Sequence, residues 1–408
     1  MKDGLTLDYL ETIPKTDLHL HLDGSLRIST LVELAKQENI ELPSQTEEGL
    51  KELVFKDTYK DLPDYLSGFA YTVSVMQNPE NLERIAYELA WDNLNENVRY
   101  IEVRYAPQLH IHEKLTMQEV IEAVAKGLER AKKEFNATEA VKNGTDLPFH
   151  YGIIICALRW FNKYMSEYYR KLYSVMSYAP HHRVFAAASL ELAQAGVKLR
   201  REHGLPIVAL DLAGAEAGNP ADDHRHAFTH AHDNFLAKTV HAGEAYGPES
   251  IFQAITDCHA TRIGHGTHLF EANMVKSDRI ENKQRYVDEL VEYIARQRIP
   301  IEINLTSNLQ TLPDMKSVAE HPLKKMIKAH IAANICTDNR LVSNTTVTNE
   351  LHLAARELNL SRKEVRNLVI AGFKGAFFPD GYTAKRAYVR KAINSLNKID
   401  ADCDAANA

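Results

Sequence analysis

Two histidines one residue apart sit in the run TDLHLHLDGSLR, Thr16 to Arg27, with Asp23 just beyond them. An imidazole lone pair binds a divalent metal, and so does a carboxylate. His-x-His recurs at His110/His112, His224/His226 and His230/His232. Period separates these pairs, because residues i and i+2 share a face on a strand and diverge on a helix. His230 and His232 lie in the helix-like stretch HAFTHAHDNFLAK, so they point apart. His224 and His226 fall at its polar start and are expected to face solvent. His110 and His112 follow Pro107 and belong to a loop. Only His19 and His21 lie in a strand-like apolar run, where both can face one interior.

Other apolar runs also end in metal-competent residues: His241 and Glu244 in HAGE, His265 in GHG, and Asp338 before Asn339 in TDN. A fold that gathers strand ends would bring them together. The candidate strands are 15–22, 99–106, 149–158, 206–213, 238–243, 261–266, 300–306 and 332–338. Most are continuous apolar or β-branched runs, as parallel strands buried on both faces require. Amphipathic patterns such as ENLERIAYELAWDNLNE, MQEVIEAVAKGLERAKKEF and DELVEYIARQR lie between them. Strand–helix alternation over eight strands predicts an α/β fold, a (β/α)8 TIM-type barrel with extra helices. The alternative, a doubly wound open sheet, usually carries a Gly-rich first turn, which is missing here. In a barrel the C-terminal strand ends share one mouth. His19, His21, His241, His265 and Asp338 then converge, five metal-competent residues from four strand ends. Such ligands suit Zn2+ or a similar ion, which lowers the pKa of a bound water from about 16 to roughly 7. The implied chemistry is metal-assisted hydrolysis.

The remaining features set bounds. Lys plus Arg number 48 and Asp plus Glu 55, a net charge of −7. A mildly acidic chain with no basic stripe argues against nucleic acid or an anionic membrane as partner. No window of about 18 apolar residues suggests a transmembrane helix, and MKDGLTLDYLETIPK has no signal-like apolar core. The four cysteines, Cys156, Cys258, Cys336 and Cys403, form no CxxC pair, so free thiols in a reducing cytoplasm are expected. The expected organisation is one metal-dependent hydrolase barrel over residues 1–408, with a core of about 10–395 and a disordered tail over 400–408. The composition leaves open the oligomeric state and the roles of the segment 159–200 and the His-rich stretch 224–232.

TDLHLHLDGSLR, HAGE, RIGHG and CTDN, in this order, resemble the adenosine deaminase family of the amidohydrolase superfamily. DLAG at 211–214 and EVRYAPQ at 102–108 add to the match, which runs from Thr16 to about Asn344. The resemblance implies a (β/α)8 barrel, one zinc ion per subunit, and hydrolysis of adenosine or 2′-deoxyadenosine to inosine or 2′-deoxyinosine and ammonia. It implies His19, His21, His241 and Asp338 as zinc ligands. Glu244, His265 and Asp338 form the implied catalytic set: Glu244 protonates purine N1, and His265 orients the attacking hydroxide rather than binding metal. Asp23 is implied to accept from the ribose 5′-hydroxyl, and the Gly214 N–H to reach purine N3. Leu62, Tyr65, Leu66 and Phe69 resemble an apolar lid, though an ordinary amphipathic helix would read the same way. Arg104 and Arg159 match supporting arginines.

One departure stands out. Many members of the family carry an aspartate where this chain has Asn339. That aspartate must be protonated to donate to purine N7, and raising a carboxyl pKa from about 3.9 to above 7 costs roughly 4 kcal/mol. An asparagine amide donates at any pH. Asn339 is therefore expected to donate to N7, with an altered purine preference as the competing outcome. Asp23 favours a nucleoside: related adenine deaminases tend to carry Glu in an HxHLEG motif, and a nucleotide would bring a phosphate against this carboxylate. A deaminase acting on adenine or an adenine nucleotide is the alternative. A non-catalytic or signalling relative fits less well with intact Glu244 and His265. The His/Cys/Cys route to deamination needs HxE with PCxxC, and neither occurs.

Overall fold

Residues 5–406 are described by the structure, a computed structural model. Eight strands follow the chain: β1 (Lys15–His21), β2 (Val98–Tyr105), β3 (His150–Leu158), β4 (Ile207–Ala213), β5 (Ala237–Ala242), β6 (Arg262–His265), β7 (Ile301–Ile303) and β8 (Ala333–Ile335). They pair in sequence order, each parallel to the next. A parallel bridge from Leu20 to Asp338 brings β1 beside the end of β8. The result is the (β/α)8 barrel that the alternation predicts.

The strands are buried along almost their whole length, which explains their continuous apolar pattern. Helices cover them with one apolar stripe each. In Pro79–Leu94 the stripe is Leu82, Ile85, Ala86, Leu89 and Ala90, at helical spacing. Its first turn is set by Pro79 and by the Asn78 side chain, which accepts from the Asn81 N–H.

Several expectations are corrected. The strand expected over 300–306 stops at Ile303, and Leu305–Thr311 is a helix across the barrel mouth. The strand expected over 332–338 ends at Ile335. Asp338 then turns out of strand geometry, with φ +61°. Both departures let side chains at the mouth turn inward instead of alternating. His224, expected to face solvent, is buried and 2.7 Å from the Ser189 hydroxyl. A short 3-10 turn, Ala221–His224, folds it against the helix His181–Glu202.

The expected disordered tail is helical as far as Ala406, within Tyr382–Ala406. Arg362 holds it through Asp400 (2.9 Å) and Asp404 (2.7 Å), a local tether that composition does not reveal. Residues 407–408 of that expectation lie outside the described residues. The segment 159–200 forms two helices, Glu167–Val175 and His181–Glu202. With Val73, Ala106 and Leu109 it builds a separate apolar cluster in which Phe161 stacks on Tyr169 at 3.9 Å. It thus backs one wall of the barrel mouth. Among the described residues Cys156, Cys258 and Cys336 are buried free thiols. Among the described residues no helix is long and apolar enough to cross a membrane.

Candidate active site

His19 and His21 project from β1 toward one point, as the strand period requires. His19 Nε2 lies 3.3 Å from Asp338 Oδ1, and His21 Nε2 lies 3.4 Å from the same oxygen. His241, from β5, brings its Nε2 to 3.1 Å from His21 Nε2. Behind them, Glu302 Oε2 accepts from His19 Nδ1 at 2.6 Å, and Asp211 Oδ1 accepts from His241 Nδ1 at 3.2 Å. A carboxylate on Nδ1 keeps the proton there and leaves the Nε2 lone pair free. Burial also pushes the His21 pKa well below the usual imidazole value.

His21 Nε2 and His241 Nε2 stand 3.1 Å apart, a contact that needs a ring proton or a cation between the two nitrogens. The buried His19 Nε2 has no hydrogen-bond partner. Three imidazole nitrogens and one carboxylate oxygen are a donor set that fits a divalent ion, Zn2+ among them.

His265 also lies close: its ligand atom and those of His19, His241 and Asp338 are all within 4.8 Å of one another. His21 is outside that group, but the hydrogen bonds of His265 weigh against it as a ligand. The side-chain amides of Asn308 (2.9 Å) and Asn304 (3.3 Å) donate to His265 Nδ1. Burial holds the ring neutral. The single ring proton must then sit on Nε2, where it blocks coordination and makes a donor. That Nε2–H lies 3.8 Å from Glu244 Oε2. His265 and Asp338 both have left-handed backbone, φ +67° and +61°, a strained choice for non-glycine residues. Gly264 beside His265 is needed for space: a Cβ there would stand 3.0 Å from the His19 ring.

Glu244 is buried at the end of the HAGE turn. Its pKa is pushed up to about 8 by burial, with the Asp338 carboxylate adding to the effect. It is a neutral acid at pH 7, able to give a proton. The turn that carries it is held from below. The Glu216 carboxylate accepts from the N–H groups of Gly243 (2.9 Å), Glu244 (3.0 Å), Ala245 (2.6 Å) and Tyr246 (3.0 Å), and from the Ser250 hydroxyl. A Glu216→Ala substitution should free this turn. Because small misplacements of a reacting group are costly, kcat should fall roughly 10²-fold with metal content unchanged. Steady-state kinetics with metal analysis checks this; an unchanged kcat refutes the role.

A cavity of about 870 Å³ opens over these groups, toward the upper end of the usual range for ligand sites. His21, Asp23, Leu62, Phe69, Gly214, His241, Glu244, His265, Asp338 and Asn339 all line it. So do Tyr65 and Leu66, the other two residues read as a lid. Helices Leu62–Ser67 and Phe69–Ser74 carry this wall. Among the described residues the lining contains no Lys or Arg. Asp23 is buried there, its Oδ1 has no partner, and burial pushes its pKa up to about 7.

Sequence reasoning missed much of the support. Arg104, expected as a supporting arginine, donates to Asp211 (2.9 Å) and Glu302 (3.0 Å), while the missed Arg262 pairs with Glu302 and Glu102, all fully buried. Losing one partner of such a buried pair typically costs about 3–5 kcal/mol. The signal was a lone charge inside an apolar run, as Glu302 is in PIEINLT. Arg159 donates to the His241 carbonyl (2.7 Å) and the Asn219 carbonyl (2.6 Å), so it supports β5 as expected. Ser307 donates to Asp338 Oδ2 at 2.6 Å. Nothing in the sequence marked Ser307, because it was placed beyond an extended strand.

Comparison with known proteins agrees with this geometry. The sequence model of the family described as adenosine deaminase matches residues 14–393. An adenosine deaminase of Mycobacterium avium is 32% identical over 381 residues, covering 93% of this chain and 94% of that protein. Among solved structures, an adenine deaminase from Arthrobacter aurescens superposes with a TM-score of 0.74 at 20% identity, covering 94% of this chain and 99% of that one. The N6-methyl-AMP deaminase of Arabidopsis thaliana gives 0.71 at 23% identity, covering 96% and 100%. At such identities these two likenesses concern the fold.

Proposed function

The chain belongs to the adenosine deaminase family of hydrolases, and on that premise we propose that it deaminates adenosine and 2′-deoxyadenosine. The products are inosine or 2′-deoxyinosine and ammonia. His19, His21, His241 and Asp338 would hold one Zn2+, which supplies a water acidified toward neutral pH. Glu244 gives its proton to purine N1, and that draws electrons from C6 and opens it to attack. Such a positioned acid contributes about 10²–10⁴ in rate. The His265 Nε2–H donates toward the oxygen that adds to C6 and balances its charge. Asp338 adds a carboxylate on the same side. The Gly214 N–H donates to N3, and Asn339 donates to N7. Leu62 and Phe69 cover the base and exclude water.

The observation that carries the choice of substrate is Asp23: a buried carboxyl whose Oδ1 has no hydrogen-bond partner, in a cavity lined by no Lys or Arg among the described residues. A ribose 5′-hydroxyl donating to Asp23 satisfies it. A 5′-phosphate would find no lining cation among the described residues, and beside its charge Asp23, with a pKa already raised to about 7, would take up a proton and lose its role as acceptor. Adenosine is therefore expected to exceed AMP in kcat/KM by about tenfold or more, the scale of one lost hydrogen bond. Adenine, which leaves Asp23 without a donor, should also be poor. Asp23→Ala should lower kcat/KM for adenosine and narrow the gap to AMP. Initial rates on adenosine, 2′-deoxyadenosine, adenine and AMP side by side make the check. Faster turnover of adenine or AMP would overturn the substrate assignment.

A further inference from the structure

Asn339 is placed with unusual restriction. Its backbone N–H donates to the Thr337 carbonyl, and its carbonyl accepts from the Ser343 N–H, both at 2.8 Å. Only the side-chain torsions stay free. The amide oxygen packs against Gly24, where a Cβ would stand 1.8 Å from Oδ1, and that oxygen has no hydrogen-bond partner. The amide nitrogen lies on the other side, donating to the Tyr65 hydroxyl at 2.9 Å. Tyr65 is buried, and its hydroxyl also lies 2.9 Å from Ser343 Oγ. Its ring packs edge-on against Tyr59 at 5.0 Å and lies 6.4 Å from Phe69. Both Tyr65 and Asn339 line the cavity.

A carboxyl group has two equivalent oxygens, so turning it over changes nothing. A carboxamide has a donor end and an acceptor end. Purine N7 only accepts, so a reversed amide would set oxygen against its lone pair. An asparagine at this place needs something to choose its orientation, and the Tyr65 hydroxyl is the group its amide nitrogen touches.

We propose that Tyr65 is a positioning residue that selects the reading orientation of Asn339: it accepts one Nδ2–H, with its own proton directed to Ser343, and leaves the second Nδ2–H for purine N7. Gly24 supplies the room for the oxygen end. Because Tyr65 rides on the helix Leu62–Ser67, readout of the base is tied to the seating of that helix. The inference rests on the proposed contact between Asn339 and N7.

The test is a double-mutant cycle of Tyr65→Phe and Asn339→Ala. It is read as kcat/KM for adenosine and as Ki for 7-deazaadenosine, which carries C–H in place of N7. Tyr65→Phe keeps the ring and its packing. It should lower kcat/KM for adenosine about tenfold, the scale of one hydrogen bond. It should leave Ki for 7-deazaadenosine within about twofold, and add little once Asn339 is alanine. Equal losses on both ligands, or full additivity with Asn339→Ala, would show that Tyr65 only packs, and would overturn the inference while leaving the N7 contact standing. An Asn339→Ala enzyme that keeps the wild-type kcat/KM for adenosine would overturn the N7 contact itself, and this inference with it.

Discussion

A Glu244→Gln enzyme is expected to lose about 10²–10⁴ in kcat for adenosine while keeping its metal. Glutamine matches the size of the acid and still donates a hydrogen bond, but it cannot give up a proton to N1. The metal donors His19, His21, His241 and Asp338 are untouched by the change. The two states of Glu244 also predict the pH profile. Its pKa lies at about 8, above the ordinary carboxyl value, because it is buried near the Asp338 carboxylate. The acid form is thus present below about pH 8 and is lost as pH rises through that value. Activity should fall on the alkaline side over that range, where an unshifted glutamate would already have lost its proton near pH 4.5. Single-turnover rates as a function of pH, with metal content measured alongside, make the check. A Gln variant with wild-type kcat would remove Glu244 from the mechanism.

Metal removal should have the larger effect. Chelation, or His241→Ala, is expected to reduce turnover by more than about 10³-fold, given that water has a pKa near 16 alone and about 7 on Zn2+. The stripped site leaves the Nε2 atoms of His21 and His241 3.1 Å apart and a buried nitrogen, His19 Nε2, without a hydrogen-bond partner. The metal-free protein should therefore melt at a lower temperature, since any ligand that binds only the folded state stabilises it by mass action. Readdition of Zn2+ should restore both melting temperature and activity to the chelated wild type, but not to His241→Ala. Elemental analysis, a melting curve and a rate on each sample suffice. A metal-free preparation with full activity would refute the assignment of these residues as ligands.

The two expectations draw on different parts of the chain, and these parts were not equally legible. His19 and His21 could be read together because a strand repeats every two residues. His241, His265 and Asp338 could be joined to them once eight parallel strands were counted, because a barrel brings strand ends to one mouth whatever their separation in sequence. Asp23 was legible as a carboxylate beside that mouth. The choice between His21 and His265 as ligand came from the resemblance to a family. Residue type alone does not make it, since both are imidazoles at strand ends. In three dimensions both rings lie close to Asp338, and the amides of Asn304 and Asn308, which donate to His265 Nδ1, are what weighs against His265.

Glu216, Ser307 and the Tyr65–Asn339 contact were not legible for a related reason. Each depends on the path of a loop or short helix, and such paths follow packing rather than a repeating pattern. Glu216 belongs to no motif in the sequence, and its role shows only where the HAGE turn closes over it. Ser307 lay just beyond an expected strand, in residues that prove to form a helix across the mouth.

By itself the sequence determined the barrel and the residue types at its mouth, because both follow from periodicity and strand count. Only the tertiary structure decided where each proton sits, which way the Asn339 amide faces and how Glu244 stays an acid. Those properties depend on burial and on neighbours within about 3 Å, and most of those neighbours are far away along the chain.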